Sequence, residues 1–328
     1  MLGEIIAILA VITFVGSNVI FRKTENQASP IFINFFRTAI GTLTFILIVV
    51  FLNKNNLIFI LPWELWILLI LSFVFGQVIG DTAYFAAQKE LGATIALAIS
   101  MTYPLFTFIL SLIFLNKAFK LNLLISLVLI GIGITIIGKS KTKTHNSNFR
   151  ENSEELFSQR SIALKFQDFF GKDMIKPIVF CLTASLGWAI GAIMIEVATS
   201  KIDQFIVVKE LSSVIANAIR FPFALMILGS LVWRENYLKK KSENSDTLKK
   251  TLYTWMLLLI ASIIGTSLGA YLYTESVHVA GANIVALVAS ASPLFAVPLT
   301  YLVNKEKISK FGFIGVVLTI LGVVVILI

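Results

Sequence analysis

Long apolar stretches, separated by shorter polar ones, follow one another along the whole chain. About 20 apolar residues in a helix are enough to cross the hydrocarbon core of a bilayer. None of the stretches alternates strictly between apolar and polar positions, as the strands of a membrane β-barrel do. The pattern predicts an all-α polytopic protein of the cell membrane with ten transmembrane helices, at about 2–21, 31–52, 64–87, 91–115, 120–138, 176–197, 210–233, 252–275, 281–303 and 310–328.

Composition supports a lipid-facing surface. Of the 328 residues, 57% are hydrophobic and 14% are charged, whereas soluble domains carry about 25% charged residues. The net charge of +9 comes mainly from residues between the apolar stretches, where it favours anionic lipid over nucleic acid as a partner. Cys181 is the single cysteine, and neither histidine has a ligand partner at metal-binding spacing, so the sequence predicts no disulfide, metal or cofactor.

Lys and Arg residues are distributed unevenly among the nine connections between the predicted spans. Of the 27 in the chain, 20 lie in or beside the odd-numbered connections and five in or beside the even-numbered ones. Positively charged connections tend to stay in the cytoplasm. The count therefore predicts that the odd-numbered connections are cytoplasmic and that both termini lie outside.

Two distant segments share residues at a constant offset of 189 positions. The stretch "GDTAYFAAQKELGATIALAISMTYPLF" begins at Gly80, and "GAYLYTESVHVAGANIVALVASASPLF" begins at Gly269. Matched Trp, Tyr, Gly and Pro residues indicate a tandem duplication of a five-span unit. We expect a first repeat at 1–138, a polar linker at 139–175 and a second repeat at 176–328. Because five is odd, the second repeat enters the membrane inverted, as in many secondary transporters.

A proline lies near the middle of the fourth predicted span and another near the middle of the ninth. Pro104 and Pro293 each free the carbonyl four residues earlier, and polar residues precede both. Two interrupted helices around one central site would explain this arrangement. A simple kink whose hydroxyls satisfy nearby backbone groups is the alternative. The predicted substrate-binding residues are Ser100, Thr102, Tyr103, Ser290 and Ser292, joined by Trp188 from the middle of the sixth span.

Glycines spaced four apart occur at matching places in both repeats. Gly76 and Gly80 lie in the third span, and Gly265 and Gly269 lie in the eighth. Small residues at this spacing let a neighbouring helix approach closely. They predict packing seams, which could also serve as sliding surfaces between helices.

Away from the span ends, three charged residues lie inside predicted spans, and they are functional candidates for that reason. Arg37 and Arg220 each follow an asparagine at i−3. They would snorkel to the headgroups, form a structural pair, or reach an anionic group in a central cavity. Asp81 is the only Asp in any span, and its repeat partner is Ala270. It would pair with an arginine, bind a cation or accept a proton.

Several segments resemble the EamA family of the drug/metabolite transporter superfamily. They are "FVGSNVIFRK" from Phe14, the "GA…SxxPLF" pattern around Pro293, and "YLVNKEKISKFGFIGVVLTILGVVVIL" from Tyr301, which includes an acidic turn at Glu306. The first repeat has Ala118 near the place of that turn glutamate. The resemblance implies export or exchange of small metabolites such as amino acids by alternating access. It also implies cytoplasmic termini, opposite to the charge count.

The predicted function is therefore a secondary transporter of a small solute, with a cavity between the two repeats. A non-transport membrane protein, such as an intramembrane enzyme or a receptor-like protein, is the alternative. An intramembrane protease needs a serine with a histidine, or two aspartates, within its spans. Since Asp81 stands alone and no histidine lies deep in a span, the sequence predicts that the protein is not an enzyme. A monomer and a homodimer both fit the sequence.

Overall fold

A computed structural model describes residues 2–91, 93–116, 172–241 and 250–304, with separate residues between 121 and 136 and between 314 and 325. All regular structure in these residues is helical. The predicted linker lies outside the described residues up to position 171, and so do Ala118 and Glu306. Part of the predicted fifth span and most of the predicted tenth span also lie outside them.

Thirteen α-helices occupy the continuous described ranges. Before the linker they are α1 (Leu2–Arg22), α2 (Pro30–Phe51), α3 (Asn55–Ile60), α4 (Trp63–Phe73), α5 (Thr82–Leu91), α6 (Ala93–Ser100) and α7 (Tyr103–Phe114). After it they are α8 (Lys172–Ile202), α9 (Ser212–Lys241), α10 (Leu252–Ser262), α11 (Gly269–Ala280), α12 (Ala282–Ser290) and α13 (Ser292–Asn304). A short 3₁₀ turn, Lys209–Leu211, precedes α9.

Seven of the helical stretches in the described residues are long and apolar enough to cross a membrane. They are Leu2–Arg22, Pro30–Phe51, Trp63–Leu91, Ile175–Ile202, Ser212–Leu238, Leu252–Ala280 and Ala282–Val303. Each coincides with a predicted span, which confirms a polytopic helical protein. The predicted fourth span, 91–115, is divided into α6 and α7, and neither piece has membrane length by itself.

The helix interruptions repeat at the 189-residue offset. A π-helical segment, Val74–Asp81, joins α4 to α5, and another, Ile263–Leu268, joins α10 to α11. The two begin 189 positions apart. Further along, α6 ends before Met101–Thr102 and α12 ends before Ala291, so a break precedes each of the two prolines. The wider turns of π-helical segments such as Val74–Asp81 and Ile263–Leu268 occur often at functional sites.

Local sequence accounts for several helix ends. Ser29 caps α2 by accepting a hydrogen bond from the Phe32 amide, and Pro30 occupies the first turn, where no N–H is needed. Thr251 caps α10 by accepting from the Thr254 amide. Gly281 ends α11 at φ 83°, a conformation that side chains disfavour, so α12 can begin at once in a new direction.

Many polar side chains of the helices point inward, and many large apolar ones are exposed, as expected of a protein surrounded by lipid. In α2 the buried residues include Asn34, Arg37 and Thr38, whereas Leu43 and Leu47 are exposed. Buried polar groups in hydrocarbon must find partners within the protein. The interior between the helices is therefore where a site for a polar solute can form.

Helices of the first half pack mainly on helices of the second half. Helix α1 packs along Ile263–Leu268 and α11, helix α8 packs along α4, Val74–Asp81 and α5, and α2 packs against α9. The two π-helical segments thus each contact a helix from the other half of the chain.

Glycines allow the closest of these approaches. Gly187 and Gly191 of α8 lie against Gly80 and Gly76, and a Cβ on Gly191 would stand 2.7 Å from the Ser72 carbonyl oxygen. At the matching contact a Cβ on Gly269 would stand 2.8 Å from Thr13 Oγ1, and one on Gly265 would collide with the Ser17 side chain. The predicted glycines therefore lie in contacts between the two halves. Gly187 and Gly191, on the facing helix, were not predicted.

Candidate functional site

A cavity of about 150 Å³ lies between the two halves of the chain. Its walls come from α1, α2, α4, the Val74–Asp81 segment, α5, α6 and α7 of the first half and from α8, α9, α11, α12 and α13 of the second. Polar groups on the wall are Asn18, Arg37, Ser72, Gln77, Asp81, Arg220 and Ser292. Aromatic groups are Phe14, Phe73, Tyr84, Tyr103, Trp188 and Tyr273.

An ion pair occupies the first-half side of the cavity. Arg37 Nη2 lies 3.5 Å from Asp81 Oδ2, and Arg37 Nε donates to Thr266 Oγ1 at 2.8 Å. Asp81 Oδ1 accepts from Trp188 Nε1 at 2.8 Å. These contacts join α2 to both the Val74–Asp81 segment and the second half of the chain. Asp81 therefore combines an arginine partner with a position on the cavity wall.

A network of neutral polar side chains supports this ion pair from behind. Asn34 Nδ2 donates to the Gln77 carbonyl at 2.7 Å and to Thr82 Oγ1 at 2.8 Å. Gln77 Nε2 donates to Asn34 Oδ1 and to Thr38 Oγ1. The Gln77 carbonyl belongs to the π-helical segment, whose wider turn leaves some backbone groups for side chains to bind. The network fixes α2 beside that segment, so Arg37 faces Asp81.

Arg220 occupies the matching place in the second half, one turn after Asn217. Its Nε donates to Asn217 Oδ1 at 2.8 Å and its Nη2 to Thr274 Oγ1 at 2.6 Å. Its Cζ lies 4.7 Å from the centroid of the Phe73 ring. Arg37 and Arg220 are 6% and 2% exposed, so neither snorkels. Hydroxyl or amide groups and aromatic rings hold both guanidinium groups inside, and Arg37 also has Asp81.

The carbonyls freed at the helix breaks bind nearby hydroxyl groups. Ser185 Oγ of α8 donates to the Ser100 carbonyl at 2.7 Å and lies 2.9 Å from Thr102 Oγ1. The Ser292 hydroxyl donates to the Ala289 carbonyl. The protein thus satisfies both carbonyls internally, as the kink interpretation of these prolines expects.

The six predicted substrate-binding residues divide into two groups. Tyr103, Trp188 and Ser292 line the cavity, whereas Ser100, Thr102 and Ser290 are not part of its wall. Ser290 is buried and donates to the carbonyl of its own helix at Leu287. Thr102 Oγ1 lies beside Ser185 Oγ, whereas Ser100 Oγ is buried with no hydrogen-bond partner among the described residues. The contact of these three hydroxyls with a solute stays a prediction.

The other predicted residues also divide by position. Arg37, Asp81, Arg220 and Gly76 lie on the cavity wall. The rest lie away from it, at the helix breaks or in the packing seams: Pro104, Pro293, Gly80, Gly265 and Gly269.

The wall residues that were not predicted from the sequence include Asn18, Gln77, Tyr84 and Tyr273. The signal for two of them was present, since Tyr84 and Tyr273 match at the 189-residue offset. Tyr84 and Tyr103 pack against Trp188, with ring centroids 5.4 and 6.1 Å away. Matched aromatic residues beside a glycine seam are thus cavity residues here.

Polar clusters lie beyond the cavity, where the first connection of each half meets the end of a later span. In the first half Glu25 contacts both Arg22 and the Gln88 side chain. Burial raises the pKa of Glu25, and these two partners oppose that shift. In the second half Asp203 accepts from Ser212 and lies 2.8 Å from His278 Nε2. Each cluster ties the first connection of its half to the third span of that half.

The membrane-length helices and the buried charged cavity define the class, an integral membrane protein with a solute-sized central site. Comparisons with known proteins agree with it. A protein of Archaeoglobus fulgidus, named as an uncharacterized transporter, is 23% identical over 329 residues, covering 100% of this chain and 98% of its own length. A crystal structure of another protein has a TM-score of 0.66 at 13% identity, covering 99% of this chain and 96% of that one, and shows the likeness of fold.

The EamA-like transporter family matches residues 1–139 and 175–328. The chain therefore belongs to that family, as the segments around Phe14, Pro293 and Tyr301 implied. It is a membrane transporter of the drug/metabolite transporter type.

Proposed function

We propose that the protein is a secondary transporter of the cell membrane that exports or exchanges a small metabolite by alternating access. The observation that carries this proposal is the position of the cavity. Its wall combines helices of both halves with three buried charged side chains, Arg37, Asp81 and Arg220. Charged residues at that depth are strongly disfavoured unless they pair or serve a solute pathway.

Packing between the halves supports a rocking motion around the cavity. The Val74–Asp81 segment contacts α8 through glycines on both sides, and Ile263–Leu268 contacts α1 through Gly265. Backbones that touch without large side chains between them can shift by small amounts without repacking bulky groups. Ten spans arranged as two inverted repeats would then open the cavity alternately to each side.

A proteoliposome uptake screen tests the proposal. Pools of labelled amino acids, nucleosides and sugar phosphates would be offered with and without a pH gradient, and empty liposomes would measure the leak. We expect uptake of one pool that saturates and that excess unlabelled solute suppresses. A protein that is folded by circular dichroism and yet carries no pool, with or without the gradient, would contradict a transport function.

A further inference from the structure

Arg220 is a buried cation that no carboxylate balances in the described part of the chain. The side chain is 2% exposed. Its two described hydrogen bonds go to neutral groups, Asn217 and Thr274. Its Nη1 has no hydrogen-bond partner among the described residues, although the side chain forms part of the cavity wall. A guanidinium group stays charged at any physiological pH. Arg220, as a side chain of the cavity wall, therefore keeps N–H donors at Nη1 that no described protein group uses and that a solute reaching the side chain could bind.

The duplication shows which group is missing. Arg37 has its carboxylate at Asp81, in the span that follows. The residue 189 positions after Asp81 is Ala270, which also lines the cavity. The second half therefore keeps the arginine and replaces its acidic partner with a methyl group. Ala270 and Arg220 both line the cavity, so the room that a carboxylate side chain at position 270 would fill belongs to the cavity.

The charges on the described part of the cavity wall add up to one positive charge. Arg37 and Asp81 cancel each other, and Arg220 remains. An isolated charge is very unfavourable in a medium of low polarity, and the Phe73 ring face compensates only part of it. A solute with one negative charge would bring the net charge of the wall and solute together to zero. A phosphate ester, with a charge of about −1.5 to −2 near neutral pH, would exceed it.

The other side chains of the cavity wall indicate the size and polarity of the rest of the solute. Apolar and aromatic side chains such as Phe14, Met101 and Val285 line most of it. A cavity of about 150 Å³ accepts a molecule about the size of benzene. Carboxylate is the monoanionic group that guanidinium binds best by charge-assisted hydrogen bonds.

We propose that Arg220 anchors the carboxylate of a small monoanionic solute whose apolar body lies against the aromatic side of the cavity. The proposal names the substrate class for the transport function proposed above and rests on it. Neutral and cationic molecules of the same shape leave the Arg220 charge unbalanced and bind more weakly.

Binding to the purified protein in detergent tests this without requiring transport. Benzoate and isobutyrate would each be compared with the matching amide, benzamide and isobutyramide, in a chloride-free buffer, by thermal shift and calorimetry. We expect each acid to stabilise the protein and to bind at least about tenfold more tightly than its amide, which corresponds to about 1.4 kcal/mol. Equal binding of acid and amide, or equal protection by chloride alone, would overturn the proposal.

Two variants and one control test whether the preference for acid over amide depends on Arg220. Arg220→Gln should abolish the preference for acid over amide, whereas Arg234→Gln, the same change at an exposed place on α9, should leave it unchanged. Ala270→Asp supplies the missing carboxylate from within the protein. It should remove benzoate binding without lowering the melting temperature measured in the absence of solute, and it remains informative if Arg220→Gln does not fold. Retention of the acid preference in a folded Arg220→Gln or Ala270→Asp protein would refute the anchoring role.

The uptake screen, extended to labelled benzoate and isobutyrate, separates this inference from the transport function itself. Saturable uptake of a neutral solute that Arg220→Gln leaves intact would refute the carboxylate anchor and support transport. Carboxylate binding that depends on Arg220, with no flux of any solute, would support the carboxylate anchor and refute the transport function.

Discussion

At the residue scale, the two arginines show how one sequence motif acquires two roles. Both follow an asparagine at i−3, and both are buried among aromatic rings and hydroxyl groups. Arg37 finds Asp81 within 3.5 Å, whereas Arg220 has Ala270 at the equivalent place. The first arginine has a carboxylate partner within the protein, whereas the second has none among the described residues and is the one that we propose to bind a solute.

Asp81 is the one carboxylate on the cavity wall among the described residues. If it takes up a proton during the transport cycle, Arg37 loses its partner and the contact between α2 and the π-helical segment weakens. Coupling free energies of about 1–3 kcal/mol correspond to effects of about 5- to 150-fold. We therefore expect Asp81→Asn to reduce accumulation driven by a pH gradient at least about fivefold, with exchange at equal concentrations affected less. The measurement is uptake with and without the gradient, and equal losses in both modes would contradict a coupling role.

The raised pKa of Glu25 predicts how the stability of the protein depends on pH. Because burial raises its pKa, the folded protein holds the proton more tightly than the unfolded chain does. The stabilisation that the protonated Glu25 contributes is complete below pH 4.5, the ordinary pKa of a glutamate. It is lost as the pH rises through the higher pKa that Glu25 has in the folded protein. Glu25→Gln should therefore make the melting temperature less dependent on pH above about 4.5. Glu64→Gln, at an exposed position, is the matched control, and identical pH profiles for wild type and Glu25→Gln would show the expectation to be wrong.

At the element scale, the sequence predicted where the helices are better than which way their side chains face. Periodic apolar stretches and the offset pairs located all seven membrane-length helices and the breaks before Pro104 and Pro293. Ser100 and Thr102 were nevertheless expected at a solute site, and they lie outside the cavity wall. Each break or π-helical turn rotates the residues that follow it about the helix axis, and that rotation depends on packing rather than on spacing. For the same reason Gln77 could not be recognised as a cavity residue.

The seam between α8 and the Val74–Asp81 segment gives a test at this scale. A methyl group on Gly191 would meet the Ser72 carbonyl and the Gly76 backbone, neither of which can rotate away. Overpacking of this kind costs about 1–3 kcal/mol, so Gly191→Ala should lower the melting temperature and impair uptake. In α1 the Gly16→Ala variant is the control, since nothing lies within 4 Å of its added methyl group. Equal stability of the two variants would mean that the helices are not in backbone contact here.

At the scale of the whole molecule, the features that recur in both halves give the site two similar sides, and the positions that differ make it asymmetric. Equivalent π-helical segments, helix breaks and Asn–Arg pairs recur in both halves, and a sequence comparison at fixed offset finds most of them. The functional differences lie where the halves diverge, as at Asp81 and Ala270. An offset comparison shows such a difference but cannot say that both positions line one cavity. That follows only from packing α2, α9 and their partner spans around a common space.

Orientation in the membrane is the remaining property of the whole molecule that the sequence predicts in two ways. Lys and Arg are concentrated in the odd-numbered connections, which the positive-inside rule places in the cytoplasm, whereas the family resemblance implies the opposite orientation. Asn26 in the first connection and Asn55 in the second are both exposed, so each can be replaced by cysteine in a Cys181→Ser background. Following the charge count, we expect an impermeant thiol reagent on intact cells to label Asn55→Cys, and Asn26→Cys only after permeabilisation. Labelling of Asn26→Cys alone from outside would establish the orientation that the family resemblance implies. The cysteine substitutions are matched in residue type and exposure, so a difference between them reports the side of the membrane rather than access within the protein.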